Sequence, residues 1–232
     1  MSLKVLIADQ SVPFASALAD ALHGRKVSVA LITGVSETVG GTKATASPKA
    51  DPRPVAVAAI PWNRTSLLSS RTVLLEFRNI YLSLDQAVLF FDAPVFAASV
   101  PGRDRLDVVR IADEYIKGYM LLAGELASDF IRQKKGRLVF VVRSHTAPGQ
   151  SGAVPNVAIA AAEGAFVALA EAIAAEFTAA ANPALQTLLV TLDSGEDAEC
   201  LAWLTEQLEQ PAVSRNQTRW VKAGSRGLFG KL

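Results

Sequence analysis

The sequence predicts an α/β protein, a doubly wound parallel sheet of about seven strands with helices on both faces. Short apolar runs alternate with amphipathic stretches along the chain, and the runs lack the in-out alternation of a sheet with one wet face. Half of the 232 residues, 50%, are hydrophobic, enough for a well-buried core in a single domain spanning 1–232.

Each element follows from local signals. Lys4 to Ala8 reads as a first buried strand. Ser11-Val-Pro-Phe opens a helix to about Leu22, with Ser11 placed to cap it and Pro13 in its first turn. Val27 to Ile32 is strand two, and residues 34–54 have the Gly, Ser, Thr, Lys and Pro composition of a surface loop. Val55 to Ile60 reads as strand three, Leu67 to about Phe77 as a helix, and Ala87 to Phe91 as strand four. A long helix from about Asp107 to Gln133 is stopped by Lys134-Lys135-Gly136, cations at its carbonyl end with a glycine beyond. Arg137 to Val142 is strand five. Pro155 or Asn156 starts an alanine-rich helix to about Ala180, Leu188 to Leu192 is strand six, Ala198 to Leu208 a last helix and Thr218 to Lys222 a last strand.

Composition removes several function classes. With 23 basic and 22 acidic side chains and no basic cluster longer than Lys134-Lys135, no nucleic acid or membrane-surface partner is implied. Cys200 stands alone, so no internal disulfide forms, and His23 and His145 are too few for a Cys/His zinc site. A reducing cytoplasm is the expected setting. The first apolar run meets Asp9 early and no uncharged apolar run reaches a membrane span, so neither export nor embedding is expected. Gly34 to Lys43 does not match a Walker phosphate loop, in which the lysine follows glycine directly.

Lys117-Gly118 in the long helix, Gly136-Arg-Leu-Val entering strand five, and the helix segment Gly164-Ala-Phe-Val-Ala-Leu-Ala-Glu-Ala-Ile-Ala-Ala-Glu176 resemble the short-chain dehydrogenase/reductase family. The likeness spans nearly the whole chain and implies a Rossmann-like fold. That family begins with Thr-Gly-x-x-x-Gly-x-Gly, whose glycines let the backbone approach a dinucleotide pyrophosphate. The matching positions here are Asp9, Pro13 and Ala15. A carboxylate about 4 Å from a phosphate repels it by roughly 4 kcal/mol at an effective dielectric near 20; helix capping is the expected work of Asp9 and Ser11. Pro94 stands where the family has a glycine bordering the cofactor.

The resemblance also places the family's catalytic positions. Its general-acid tyrosine and pKa-lowering lysine fall on Ile159 and Glu163, its serine on Arg143 or Thr146 with Ser144 beside both, and its relay asparagine on Tyr115. Isoleucine has no proton to give, and a glutamate raises a neighbouring phenol's pKa. No tyrosine follows Tyr119, so no shift of register restores the pair. Ser144, His145 and Thr146 read as ordinary loop polarity. The segment that grows into a substrate lid in the family is very short before Ala198.

These losses together imply a non-catalytic subunit that pairs with an active short-chain dehydrogenase paralogue, as heterodimer or heterotetramer. No cofactor is expected on this chain and NAD(P) on the partner. The resemblance extends to inactive subunits of dehydrogenases acting on a hydroxyacyl-CoA such as 2-[hydroxy(phenyl)methyl]succinyl-CoA. It implies an interface through Ala158, Ala162, Ala165, Phe166 and Leu169, whose small residues permit close helix approach, and through tail residues Arg226, Leu228 and Phe229. Two alternatives remain open: a homo-oligomeric enzyme using Glu163, His145 or Asp92 as acid/base, and a ligand-sensing binding protein.

Overall fold

The computed structural model describes residues 2–34, 57–100, 104–144, 156–193, 197–210 and 218–224. Its strands are Lys4–Ala8 (β1), Ser28–Gly34 (β2), Ala58–Trp62 (β3), Gln86–Asp92 (β4), Gly136–Arg143 (β5), Leu185–Thr191 (β6) and Trp220–Lys222 (β7). All pair in parallel, in the order β3-β2-β1-β4-β5-β6-β7. Every residue of β4 is buried, as a central strand covered on both faces requires. The third strand lies later than the sequence predicts, at Ala58–Trp62, in register with the end of β2.

The helices are Pro13–Gly24 (α1), Leu67–Tyr81 (α2), Ala93–Ser99 (α3), Arg105–Ile111 (α4), Gly118–Gln133 (α5), Val157–Ala179 (α6) and Asp197–Glu209 (α7). Right-handed crossovers set α1 and α7 on one face and α2, α5 and α6 on the other. The expected single long helix before β5 is instead α4 and α5 joined by a π-helical turn, Ala112–Lys117. The short helix α3 was not expected at all. Asp92 caps it by accepting from Val95 N, and Pro94 fits its first turn because no N–H is needed there.

Capping departs from expectation at two further places. Ser11 does not cap α1: the N-cap is Val12, without a side-chain bond, because Ser11 Oγ donates to Asp9. The carbonyl end of α5 closes on Lys134 in the left-handed conformation, not on the glycine. Gly136 is required for another reason, since at φ 141° a Cβ would lie 2.0 Å from the Phe130 ring. Of the two starts the sequence allows for α6, Asn156 is the N-cap, accepting from Ala158 N and Ile159 N.

Three buried polar residues, Asp129, Arg137 and Gln86, lock helices in place. Asp129 on α5, 1% exposed, accepts from Arg78 of α2 and from Arg132 and Gln133 of its own helix. Arg137 and Gln86, facing each other across β5 and β4, donate to the carbonyls of Gln207 and Leu208 at the end of α7. Helix α6 is long and apolar enough by length and composition to cross a membrane, but Ile159, Ala162, Phe166, Ala170 and Phe177 bury one side of it in the core.

Candidate functional site

In an open parallel sheet the ligand crevice lies beyond the carboxyl ends of the strands, where the strand order reverses. Here that point falls between β1 and β4. Asp9 follows β1, Asp92 ends β4, Arg143 ends β5, and Arg64 comes two residues after β3. Two clusters of opposite charges meet there.

In the first, the Arg64 guanidinium pairs with Asp9, whose side chain is 2% exposed and also accepts from Ser11 N and Oγ. Arg64 Cζ lies 5.1 Å from the Trp62 ring, 5.6 Å from Phe96, 5.0 Å from Tyr115 and 5.4 Å from Tyr119. Ring faces carry negative charge density, so they supply part of what water would give a buried cation. Tyr115 stacks on Phe96 at 4.3 Å, its hydroxyl 3.2 Å from Ser99 Oγ. Asp9 therefore acts as an ion-pair partner and turn former, and not as the helix cap expected of it.

In the second, Arg143 pairs with Asp197 at the start of α7 and lies 3.3 Å from Asp92 Oδ2, close enough for charge attraction though not aligned as a hydrogen bond. Its guanidinium lies over the Phe14 ring at 5.7 Å. Burial pushes the Asp92 carboxyl above the ordinary carboxylate range, with Arg143 and the Val95 N–H pulling it back.

Tyr119 closes the floor. It is fully buried, donates to Phe90 O, and burial raises its phenol to about 12, with Arg64 opposing. A folded value above the unfolded value of 10 means the native state holds the proton more tightly. Its stabilising contribution is therefore complete below pH 10 and lost as pH climbs toward 12. Wild type is expected to be more stable than Tyr119→Phe near neutrality, and that advantage should shrink across this alkaline range. Urea midpoints of both proteins measure it; a constant difference would refute the assignment.

The family positions read from the sequence fall as follows. Ile159 is 1% exposed and packed in the core. Glu163, one turn on, accepts from Ser144 Oγ at 2.5 Å. Tyr115 belongs to the Arg64 cluster and Arg143 to the Asp92 cluster. Ala15 is fully buried in α1. His145, Thr146, Arg226, Leu228 and Phe229 lie outside the described residues, as does most of the 34–54 loop. Ala162 and Phe166, expected at an interface, are 0% and 1% exposed and belong to this chain's own core. Ala158, Ala165 and Leu169 are half-buried, and the exposed stripe of α6 runs through Val157, Ala160, Ala161, Gly164 and Ala168.

Arg64, Tyr119 and Asp197 were missed as site residues. The available signal was a basic residue two positions after strand three, matching an acid directly after strand one. The residues present do not fit a dinucleotide. A side chain replaces each glycine of the approach, and Asp9 puts a carboxylate where the pyrophosphate would lie. Among the described residues no group of three or more His, Cys, Asp or Glu side chains could hold a metal ion. A cleft of about 150 Å³ lined by Asp85, Gln86, Lys135, Gly136, Arg137 and Ala184 opens at the opposite ends of the strands, away from these clusters.

No protein-family model matches the sequence. A protein of Treponema pallidum (strain Nichols), known only as an uncharacterized protein, is 33% identical over 231 residues, covering 100% of this chain and 97% of that one. The chain belongs to the same family as that protein. Among solved structures it is similar to a short-chain dehydrogenase from Streptomyces avermitilis, with TM-score 0.55 and 16% identity. The match covers 82% of this chain and 66% of that one, so the chain spans just under two thirds of the enzyme's length. The fold is therefore that of the short-chain dehydrogenases, a Rossmann-like parallel α/β sheet.

Proposed function

We propose that the chain is a non-catalytic subunit that assembles with an active short-chain dehydrogenase paralogue in an NAD(P)-dependent oxidoreductase. The substrate class the sequence resemblance implies is a hydroxyacyl-CoA. One helix carries the reading. The sequence resemblance puts Ile159 and Glu163 of α6 where the family's proton transfer uses a phenol and an ammonium, and the exposed stripe of the helix from Val157 to Ala168 is small and apolar. Supporting the second half, every exposed large hydrophobic among the described residues, Leu68, Leu75, Leu106, Val109 and Val157 included, lies on α2, α4, α5, α6 or their caps.

Affinity purification from the native cells, then reconstitution of the recovered proteins, tests this. The expected result is stoichiometric recovery of a short-chain dehydrogenase with intact tyrosine, lysine and glycines, whose turnover or stability depends on this chain. Oxidation or reduction of a substrate with nicotinamide cofactor by this chain alone would overturn it. The Ser144–Glu163 hydrogen bond favours a second reading, an enzyme using Glu163 as acid/base, and such turnover lost in Glu163→Gln would establish it.

A further inference from the structure

We propose that Arg64 is a permanent internal occupant of the strand-end crevice, which has become a guanidinium box closed to dinucleotides. The inference deepens the non-catalytic reading and rests on it. Five parts of the chain converge on one cation: the turn after β1 supplies Asp9, β3 Trp62, α3 Phe96, the π-helical turn Tyr115, and α5 Tyr119. The Arg64 side chain is only 10% exposed, and Nη1 has no hydrogen-bond partner among the described residues, so that face of the guanidinium rests against the rings. Gly118 makes room for it. A Cβ there would lie 2.9 Å from Arg64 Cβ and 3.0 Å from its carbonyl oxygen, so the helix admits the arginine only because this position has no side chain.

The box suits its own arginine and rejects a pyrophosphate. The positive charge of the box is neutralised by Asp9, and the carboxylate that neutralises it repels a phosphate. The aromatic rings also present negative density, favouring a cation. The crevice therefore needs neither nucleotide nor partner to be filled.

Arg64→Ala leaves a vacancy of guanidinium shape, and the probe is ethylguanidinium at low millimolar concentration. The expected result is a lower thermal midpoint for the variant, raised saturably by ethylguanidinium but not by ethylammonium at equal concentration, with wild type unaffected by either. Calorimetric titration of wild type with oxidised and reduced NAD and NADP should show no saturable binding at millimolar concentration. Equal shifts of wild type and variant by ethylguanidinium, or micromolar dinucleotide binding by wild type, would overturn the proposal. If Arg64→Ala does not fold, Arg64→Lys should keep part of the stability and the wild-type titration still decides. Dinucleotide binding by a chain that still assembles with its dehydrogenase would remove the box and leave the subunit reading standing. A solitary chain without dinucleotide binding would do the reverse.

Discussion

If the chain assembles with a dehydrogenase as proposed, replacing Ala161 and Ala168 with glutamate is expected to abolish that assembly while leaving the chain folded. Both alanines are exposed and lie seven residues apart on the outer stripe of α6, flanked by Gly164. In the isolated chain the change is small, because surface substitutions outside special contacts usually stay within about 0.5 kcal/mol. In a close helix–helix interface, each glutamate would be buried without a partner. Leaving a buried charge unpaired costs about 3–5 kcal/mol, which for two residues corresponds to a weakening of at least about a thousand-fold. Light scattering of the mixture and thermal melting of the chain alone measure the two halves. An unchanged complex mass would show that α6 is not the interface.

The second large effect concerns stability. Asp129→Ala is expected to cost about 2–4 kcal/mol, somewhat less than the roughly 3–5 kcal/mol of breaking a fully buried ion pair. Asp129 is 1% exposed and collects three donors, but the Arg78 and Arg132 side chains are 30% and 69% exposed, so water recovers part of their loss. The bond to Arg78 is also a polar tie between α2 and α5, more deeply buried than the Arg71–Glu125 pair beside it, so the loss should speed local opening of α2. Urea unfolding measures it, with Asp113→Ala as control. That residue forms an exposed i,i+4 pair with Lys117, and its loss should stay within about 0.5 kcal/mol. Equal effects of the two variants would show that burial of Asp129 contributes nothing.

The strands and main helices were legible because their signals are local. A strand buried on both faces must be a continuous apolar run, and β1 and β4 have no other reading. Where a local signal had two uses, the reading failed. Asp9 and Ser11 have the chemistry of helix caps, but Arg64, 55 positions away, draws Asp9 into an ion pair and Ser11 turns toward the same carboxylate. Gly136 follows a helix and so looks like its stop, whereas the tight contact is with Phe130. The π-helical turn leaves no mark in the hydrophobic pattern, because its buried residues Ile111, Tyr115 and Tyr119 recur every four positions, a spacing that an α-helix also gives.

Within α6 the limit is geometric. Alanine fits both a core and an interface, so composition could not separate Ala162, which packs on the sheet, from Ala161, which faces out. By itself the sequence determined the fold class, the side chains in place of the glycines at Asp9, Pro13 and Ala15, and the lack of a phenol at Ile159. Those are properties of residue identity and period. Only the tertiary structure decided that Arg64 fills the strand-end crevice, that Arg143 joins Asp92 to Asp197, and which side of α6 meets solvent. Such pairings join residues far apart in the chain, where attraction depends on distances that no local pattern encodes.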